Sequence, residues 1–223
     1  MTGVTADGFP LDLVLFAMIA VFLVLRLRSV LGRRTGLERS AAAPLDRPAP
    51  AGAAGPVIEG QAEAAPARAV PDPSSPLGRE LARIHTVDRS FDPARFLAGA
   101  EAAFRLIVGA FAAGDRAALR PLLSQDMWAS FDQVITAREH AGETQKSEVK
   151  AILSATIEEA SLVGSLATIV VRFVSDQVAL TLDRDGKPVA GTDATTELID
   201  LWTFERDLTH PGPNWRLTAA RSG

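Results

Sequence analysis

The sequence predicts an α+β domain preceded by a single membrane-spanning helix. Three observations lead there: one unbroken apolar run near the N-terminus, helical periodicity from Phe91 to about Gly142, and a period of two from Glu148 onward. The helical stretch precedes the strands instead of alternating with them. That order favours three helices packed on one face of an antiparallel sheet.

The apolar run, Leu13 to Leu25, reads LVLFAMIAVFLVL, and Phe9, Leu11, Leu27, Val30 and Leu31 extend it on both sides. Residues 9–31 are therefore expected to meet the lipid bilayer, since a spanning helix needs about 20 residues. Ten residues of the run are Leu, Ile, Val or Phe, which favours insertion by roughly 3 to 6 kcal/mol and outweighs the interfacial Asp12. No lysine or arginine precedes the run, whereas Arg26, Arg28, Arg33, Arg34 and Arg39 follow it. The positive flank stays in the cytoplasm. The expected topology is a single-pass inner-membrane protein with its N-terminus outside and its C-terminal domain cytoplasmic. A cleavable secretory signal carries its charges on the opposite side. Arg26, Arg28, Arg33 and Arg34 are candidate headgroup contacts, at about 1 kcal/mol each near an anionic surface. A plain stop-transfer role accounts for them equally well. Residues 1–39 are thus read as the anchor and its arginine-rich flank.

Residues 40–78 are dominated by Ala, Pro and Gly and contain no aromatic residue. Such a segment buries too little surface to offset the entropy of ordering, so it reads as a disordered linker. Its r.m.s. span is on the order of 35 Å. At its end, Leu77 to Val87 suits a helical turn or two, with Leu81 and Ile84 on one side. The folded domain is assigned to residues 79–223.

Asp92 is a good helix N-cap, Pro93 suits the first helical position, and Gly114 suits the stop. Phe91 and Phe96 have the spacing of a hydrophobic staple. Phe96, Ala100, Ala103, Ile107 and Phe111 form one apolar stripe, and Gly99 and Gly109 suit close packing against a neighbour. Asp115 opens a second helix toward Leu123, kinked at Pro121. Ser124 caps a third, with Met127, Phe131, Val134 and Ile135 on its apolar side, ending near Gly142.

Val149, Ala151, Leu153, Ala155 and Ile157 then alternate with more polar neighbours, as in a strand. Ala167 to Val174 is rich in β-branched residues. Val178 to Leu182 and Pro188 to Val189 flank Asp185-Gly186, a hairpin dipeptide. Leu198 to Phe204 and Trp215 to Ala219 complete the set, separated by the turn-formers His210 to Asn214.

Composition excludes several functions. Without cysteine there is neither a disulfide framework nor a thiolate metal site. The formal net charge is −4, and from Phe91 onward 18 acidic residues face 13 basic ones, so general nucleic-acid binding is not expected. No phosphate loop, dinucleotide fingerprint or paired-histidine metal motif is present. Asp183 to Gly186 resembles a calcium loop only in outline, because Thr192 stands where the terminal glutamate is required. There is no tyrosine, and His85, His140 and His210 lie at element edges or in a loop. Asp200, beside Trp202, is read as a cross-strand partner for Arg172 or Arg206. No catalytic, metal or cofactor site is expected.

Three strings carry a family resemblance. FLxGAxxAF spans Phe96 to Phe104, AFAxGD spans Ala110 to Asp115, and DxWTFER spans Asp200 to Arg206. With PNW at Pro213 to Trp215, they resemble the C-terminal domain of mitochondrial import inner-membrane translocase subunit 44, and more closely its alphaproteobacterial TimA-type adaptor relatives. The resemblance implies a nuclear-transport-factor-two-like or cystatin-like fold, with helices on a curved sheet around an apolar pocket. It implies a non-enzymatic adaptor binding an as yet unidentified protein partner, or a lipid, at the inner membrane, in protein translocation or membrane-protein assembly. On that reading Phe104 and Phe131 are candidate pocket residues, with Trp202 across on the sheet. Two alternatives stand beside it: a carrier of an apolar ligand or lipid, and an isomerase-like enzyme on the same fold.

Overall fold

Three long strands joined by two short hairpins carry the domain. The computed structural model describes residues 67–210 and 215–223. Within them the chain runs β1 (Ala67–Ala69), α1 (Pro76–Val87), α2 (Pro93–Ala113), α3 (Arg116–Leu119), α4 (Gln125–Ala141), β2 (Thr144–Val163), β3 (Leu166–Leu182), β4 (Pro188–Asp207) and β5 (Arg216–Ser222). The sheet order is β1-β2-β3-β4-β5. β1 pairs parallel to β2 and every other pairing is antiparallel, so the sheet is mixed, not purely antiparallel.

Four helices occur among the described residues, where three were expected. The additional one is α1, with Leu81 and Ile84 buried in the core. Its N-cap, Ser75, accepts from the Gly78 amide at 2.9 Å. Both β1 and this cap fall inside the stretch read as linker. Alanine and proline dominate there, and the signal that orders it lies in distant residues. The anchor run Leu13–Leu25 lies outside the described residues.

The caps read from the sequence are in place. Asp92 Oδ1 accepts from the Arg95 amide at 2.7 Å and Gly114 ends α2 at φ 70°. Ser124 Oγ accepts from the Met127 amide at 3.2 Å and Gly142 ends α4 at φ 70°. Phe91 and Phe96 meet at 6.1 Å between ring centroids, as a staple does. Pro121 does not kink a helix: α3 is a single turn that stops at Leu119, before the proline. α2 is long and apolar enough to cross a membrane by length and composition. Its Phe96, Leu97, Ala100, Phe104 and Ile107 are nevertheless packed in the domain core, which makes it the central core helix.

The sheet's inner face supplies the other half of that core, through Ile152, Ala155, Ile157, Ile169, Val171, Phe173 and Trp202. Segments expected as separate strands are continuous. Ala167–Val174 and Val178–Leu182 both belong to β3, and Pro188–Val189 and Leu198–Phe204 to β4. β2 carries three register shifts against β3, between Val149 and Ala151, Ile152 and Ser154, and Ile157 and Glu159. Each adds a residue to one side and bends the strand. They also reset the alternation. Ile152, not Leu153, faces the core, and Leu153 is 41% exposed.

Candidate functional site

Where α2 begins, a cavity lies beside the β4–β5 end of the sheet. Phe91, Phe96, Leu122, Phe204 and Trp215 wall a cavity of about 690 Å³ that is open to solvent. Phe96 lies at its centre, 4.8 Å from Trp215 and 6.0 Å from Phe204 between ring centroids. Gly99, Ala100 and Ala103 form the helix side, and their small size keeps the groove open. A methyl group added at Gly99 would meet no atom within 4 Å. Gly109 faces open space in the same way. Neither glycine serves close packing, contrary to expectation: both lie on exposed flanks of α2.

The rim is polar. Arg206 donates from Nη1 to Asp88 Oδ2 at 2.8 Å, with only 10% of its side chain exposed. Asp88 also accepts at Oδ1 from the Ser90 hydroxyl at 2.6 Å and the Ser90 amide at 3.0 Å. The Ser90 hydroxyl and, more weakly, the Arg206 charge hold the Asp88 carboxyl below its ordinary range, against burial, which pushes it up. The Arg206 Nε is buried without an acceptor. A second cavity of about 520 Å³ continues past Pro121, which lines both, toward Arg120, Leu123, Gln125 and Arg216.

The residues singled out from the sequence are placed differently. Phe104 is fully buried, 4.5 Å from Phe173 and 4.6 Å from Trp202, and Trp202 is 5% exposed. These two form packed core, not groove lining. Phe131 is half-buried, packed against the edge of the core and 4.8 Å from Phe111. Eight residues separate Phe96 from Phe104, which places Phe104 more than two turns further along α2, beneath the middle of the sheet. Arg26, Arg28, Arg33 and Arg34 lie outside the described residues.

Asp200 accepts from Gln177 Nε2 at 3.1 Å and stands opposite Phe173 in the sheet. Arg206 is committed to Asp88 instead, being six residues, or about 20 Å of strand, from Asp200. Arg172 neighbours Phe173 and so projects from the other face. Asp183 Oδ1 accepts from the Asp185 and Lys187 amides at 2.9 and 2.8 Å, which makes that loop a hairpin turn. Among the described residues no group of three or more His, Asp or Glu is placed to hold a metal. His85 bonds the Phe91 carbonyl at 2.8 Å, supporting the groove from beneath.

The sequence model of the Tim44-like domain matches residues 77–222, most of the chain. The chain belongs to the Tim44-like domain family. Two solved structures are similar to it. One is the intermembrane space region of the chloroplast protein ARC6, 12% identical with a TM-score of 0.43, covering 59% of this chain and 96% of that one. The other is a conserved protein from Planctomyces limnophilus DSM 3776, 18% identical with a TM-score of 0.33, covering 58% and 95%. Both likenesses are too distant to carry an argument about function. No curated protein matches the chain. The Tim44-like match begins at Leu77, one residue into α1, and ends with β5. It takes in every helix and strand described except β1.

Proposed function

We propose that this Tim44-like protein is a membrane-anchored, non-enzymatic adaptor of protein translocation or membrane-protein assembly. Residues 9–31 hold it in the inner membrane and keep the domain on the cytoplasmic side. The domain receives an apolar segment of a protein partner. The observation that carries this reading is the cavity beside the start of α2, where the buried rings of Phe91, Phe96 and Phe204 lie behind the half-buried Leu122 and Trp215. A cavity with apolar walls and a polar rim is a place for a ligand or partner segment. Helices laid over a strongly bent sheet suit the nuclear-transport-factor-two-like or cystatin-like arrangement, whose open end is a place for a ligand.

The test is site-specific photo-crosslinking from Ala103, on the groove's helix side, in the full chain in its native membrane. A protein adduct that disappears in Gly99→Leu supports the adaptor. An adduct to lipid alone favours the apolar-ligand carrier, to which the same aromatic walls are suited. No adduct from Ala103, or one indifferent to Gly99→Leu, removes the groove from the function. Two further measurements address the tether. Deleting residues 2–40 should release the protein to the soluble fraction. A reporter active only outside the cytoplasm, fused after Gly223, should remain silent.

A further inference from the structure

We propose that α2 pairs with α2 of a second copy of this chain across a two-fold axis, and that the pairing covers the helix side of the cavity. The inference goes beyond the adaptor reading and does not depend on it.

An exposed side of α2 with nothing polar on it carries the argument. Gly99, Ala102, Leu106, Gly109 and Ala113 recur at steps of three and four, and all are exposed. They share the side of the helix turned from the core, over a length of about 21 Å. Leu106 is the one large residue among them, at 50% exposure. After Arg95 the only charged residues of α2 are Glu101 and Arg105, and both are turned away from this side. Glu101 is buried against Arg68, and Arg105 donates to the Val149 carbonyl at 2.9 Å. A helix that is apolar all round is normally enclosed. Only 44% of the most apolar stretch of α2 is buried.

Spacing and shape indicate what covers it. Steps of three and four make the seam along which two helices pack. Glycine and alanine on such a seam let the two backbones come close. The seam has two unlike features. Leu106 projects from it, and at Gly99 an added methyl would meet nothing within 4 Å beside the cavity. They stand about 10 Å apart on the same side, two turns of helix. With the helices antiparallel and the axis between Ala102 and Ala103, Leu106 of each copy falls on Gly99 of the other. One operation makes both contacts, as a self-complementary interface requires. The same operation sets the two Arg95 residues about 22 Å apart, so these like charges do not meet.

Within the domain neither Gly99 nor Gly109 packs against a neighbour, and the seam between copies supplies that neighbour. One helix seam buries less than the roughly 800 Å² per copy of a standard interface, so the pairing is dissociable. Leu106 seated at Gly99 covers part of the cavity wall formed by Gly99 and Ala103. A segment entering there has to displace the second copy.

The chain has no cysteine, so a single introduced one reports alone. The purified full chain is reconstituted in phosphatidylcholine vesicles and oxidised. Ala102→Cys, next to the axis, is expected to give a disulfide-linked pair of chains. Gly109→Cys is equally exposed but lies about 20 Å from its counterpart in this register, and should give none. Adding Leu106→Glu to Ala102→Cys should abolish the pair, whereas Leu106→Met should keep it. Leu106 is exposed in the single chain, so neither change disturbs the fold. If Ala102→Cys links no better than Val163→Cys, on the exposed β2–β3 hairpin, the pairing is absent and the inference is overturned. Equal linking of Gly109→Cys and Ala102→Cys would mean parallel helices and discard the fit of Leu106 to Gly99. Survival of the link in Leu106→Glu would show that something other than this seam joins the copies, and would also overturn it. If the purified chain gives no link while Ala102→Cys in native membranes takes up a different protein, the face belongs to that protein and not to a second copy.

Discussion

Arg68 grips Glu101 through both edges of its carboxylate, Nε to Oε1 and Nη2 to Oε2, each at 2.8 Å. Glu101 is 6% exposed on the inner side of α2, while the Arg68 side chain is 41% exposed on β1. The pair fastens β1 to the domain and holds the Arg68 guanidinium above its ordinary range through the Glu101 hydrogen bond and charge. Removing the arginine alone strands a buried carboxylate, whereas replacing both partners leaves nothing uncompensated. Arg68→Met should therefore lower the melting temperature and expose residues near Arg68 to proteolysis. Arg68→Met with Glu101→Leu should melt higher than Arg68→Met alone. Equal melting of the two would show that the pair does not hold β1.

Phe104 stacks on Phe173, and both pack against Trp202 in the core. Phe104→Ala should cost about 3–5 kcal/mol in a denaturant titration, as loss of a fully buried phenylalanine does. Phe131→Ala, from a half-buried position against Phe111, should cost clearly less. The reverse order would place Phe131, not Phe104, at the centre of stability.

Two glycines should respond oppositely to alanine. At Gly78 an added methyl would stand 2.0 Å from the Asp72 carbonyl oxygen, a backbone atom that cannot move without breaking the turn before α1. Gly78→Ala should destabilise the domain and fray α1. At Gly109 the methyl meets nothing within 4 Å, so Gly109→Ala should raise stability by about 0.5–1 kcal/mol through helix propensity. Circular dichroism melts of the two variants decide the matter.

Acid should weaken the domain below about pH 4. The Thr209 amide and hydroxyl, with the Ser165 hydroxyl, hold Asp207 at about 2, and Asp88 is also depressed, chiefly by Ser90. A carboxyl depressed in the fold stabilises it above the unfolded value, near about 4, and that contribution is lost as pH falls through the folded value. The unfolding midpoint should therefore hold from about pH 7 to about pH 4 and decline from there toward about pH 2. Asp88→Asn with Asp207→Asn should flatten that decline. An unchanged slope in the double variant would assign the acid sensitivity elsewhere.

By itself the sequence determined what depends on neighbours in the chain. Asp92 and Ser124 cap their helices and Gly114 and Gly142 stop theirs because caps act within a few residues. Asp185-Gly186 turns β3 into β4 for the same reason, with Gly186 at φ 77°. The family was legible too, since its motifs are contiguous strings. Tertiary structure decided what depends on distant residues. β1 is ordered by pairing with β2 and by Arg68 reaching Glu101, 33 residues away. The bulges in β2 chose Ile152 over Leu153 for the core, and no residue type announces a bulge. Phe96 and Phe104 are both phenylalanines of α2. Both are buried, and only the cavity beside the start of α2 makes Phe96 one of its walls while Phe104 is closed in by Phe173 and Trp202. Arg206 meets Asp88 across 118 positions of chain, a pairing fixed by packing of the whole domain and not by any local pattern.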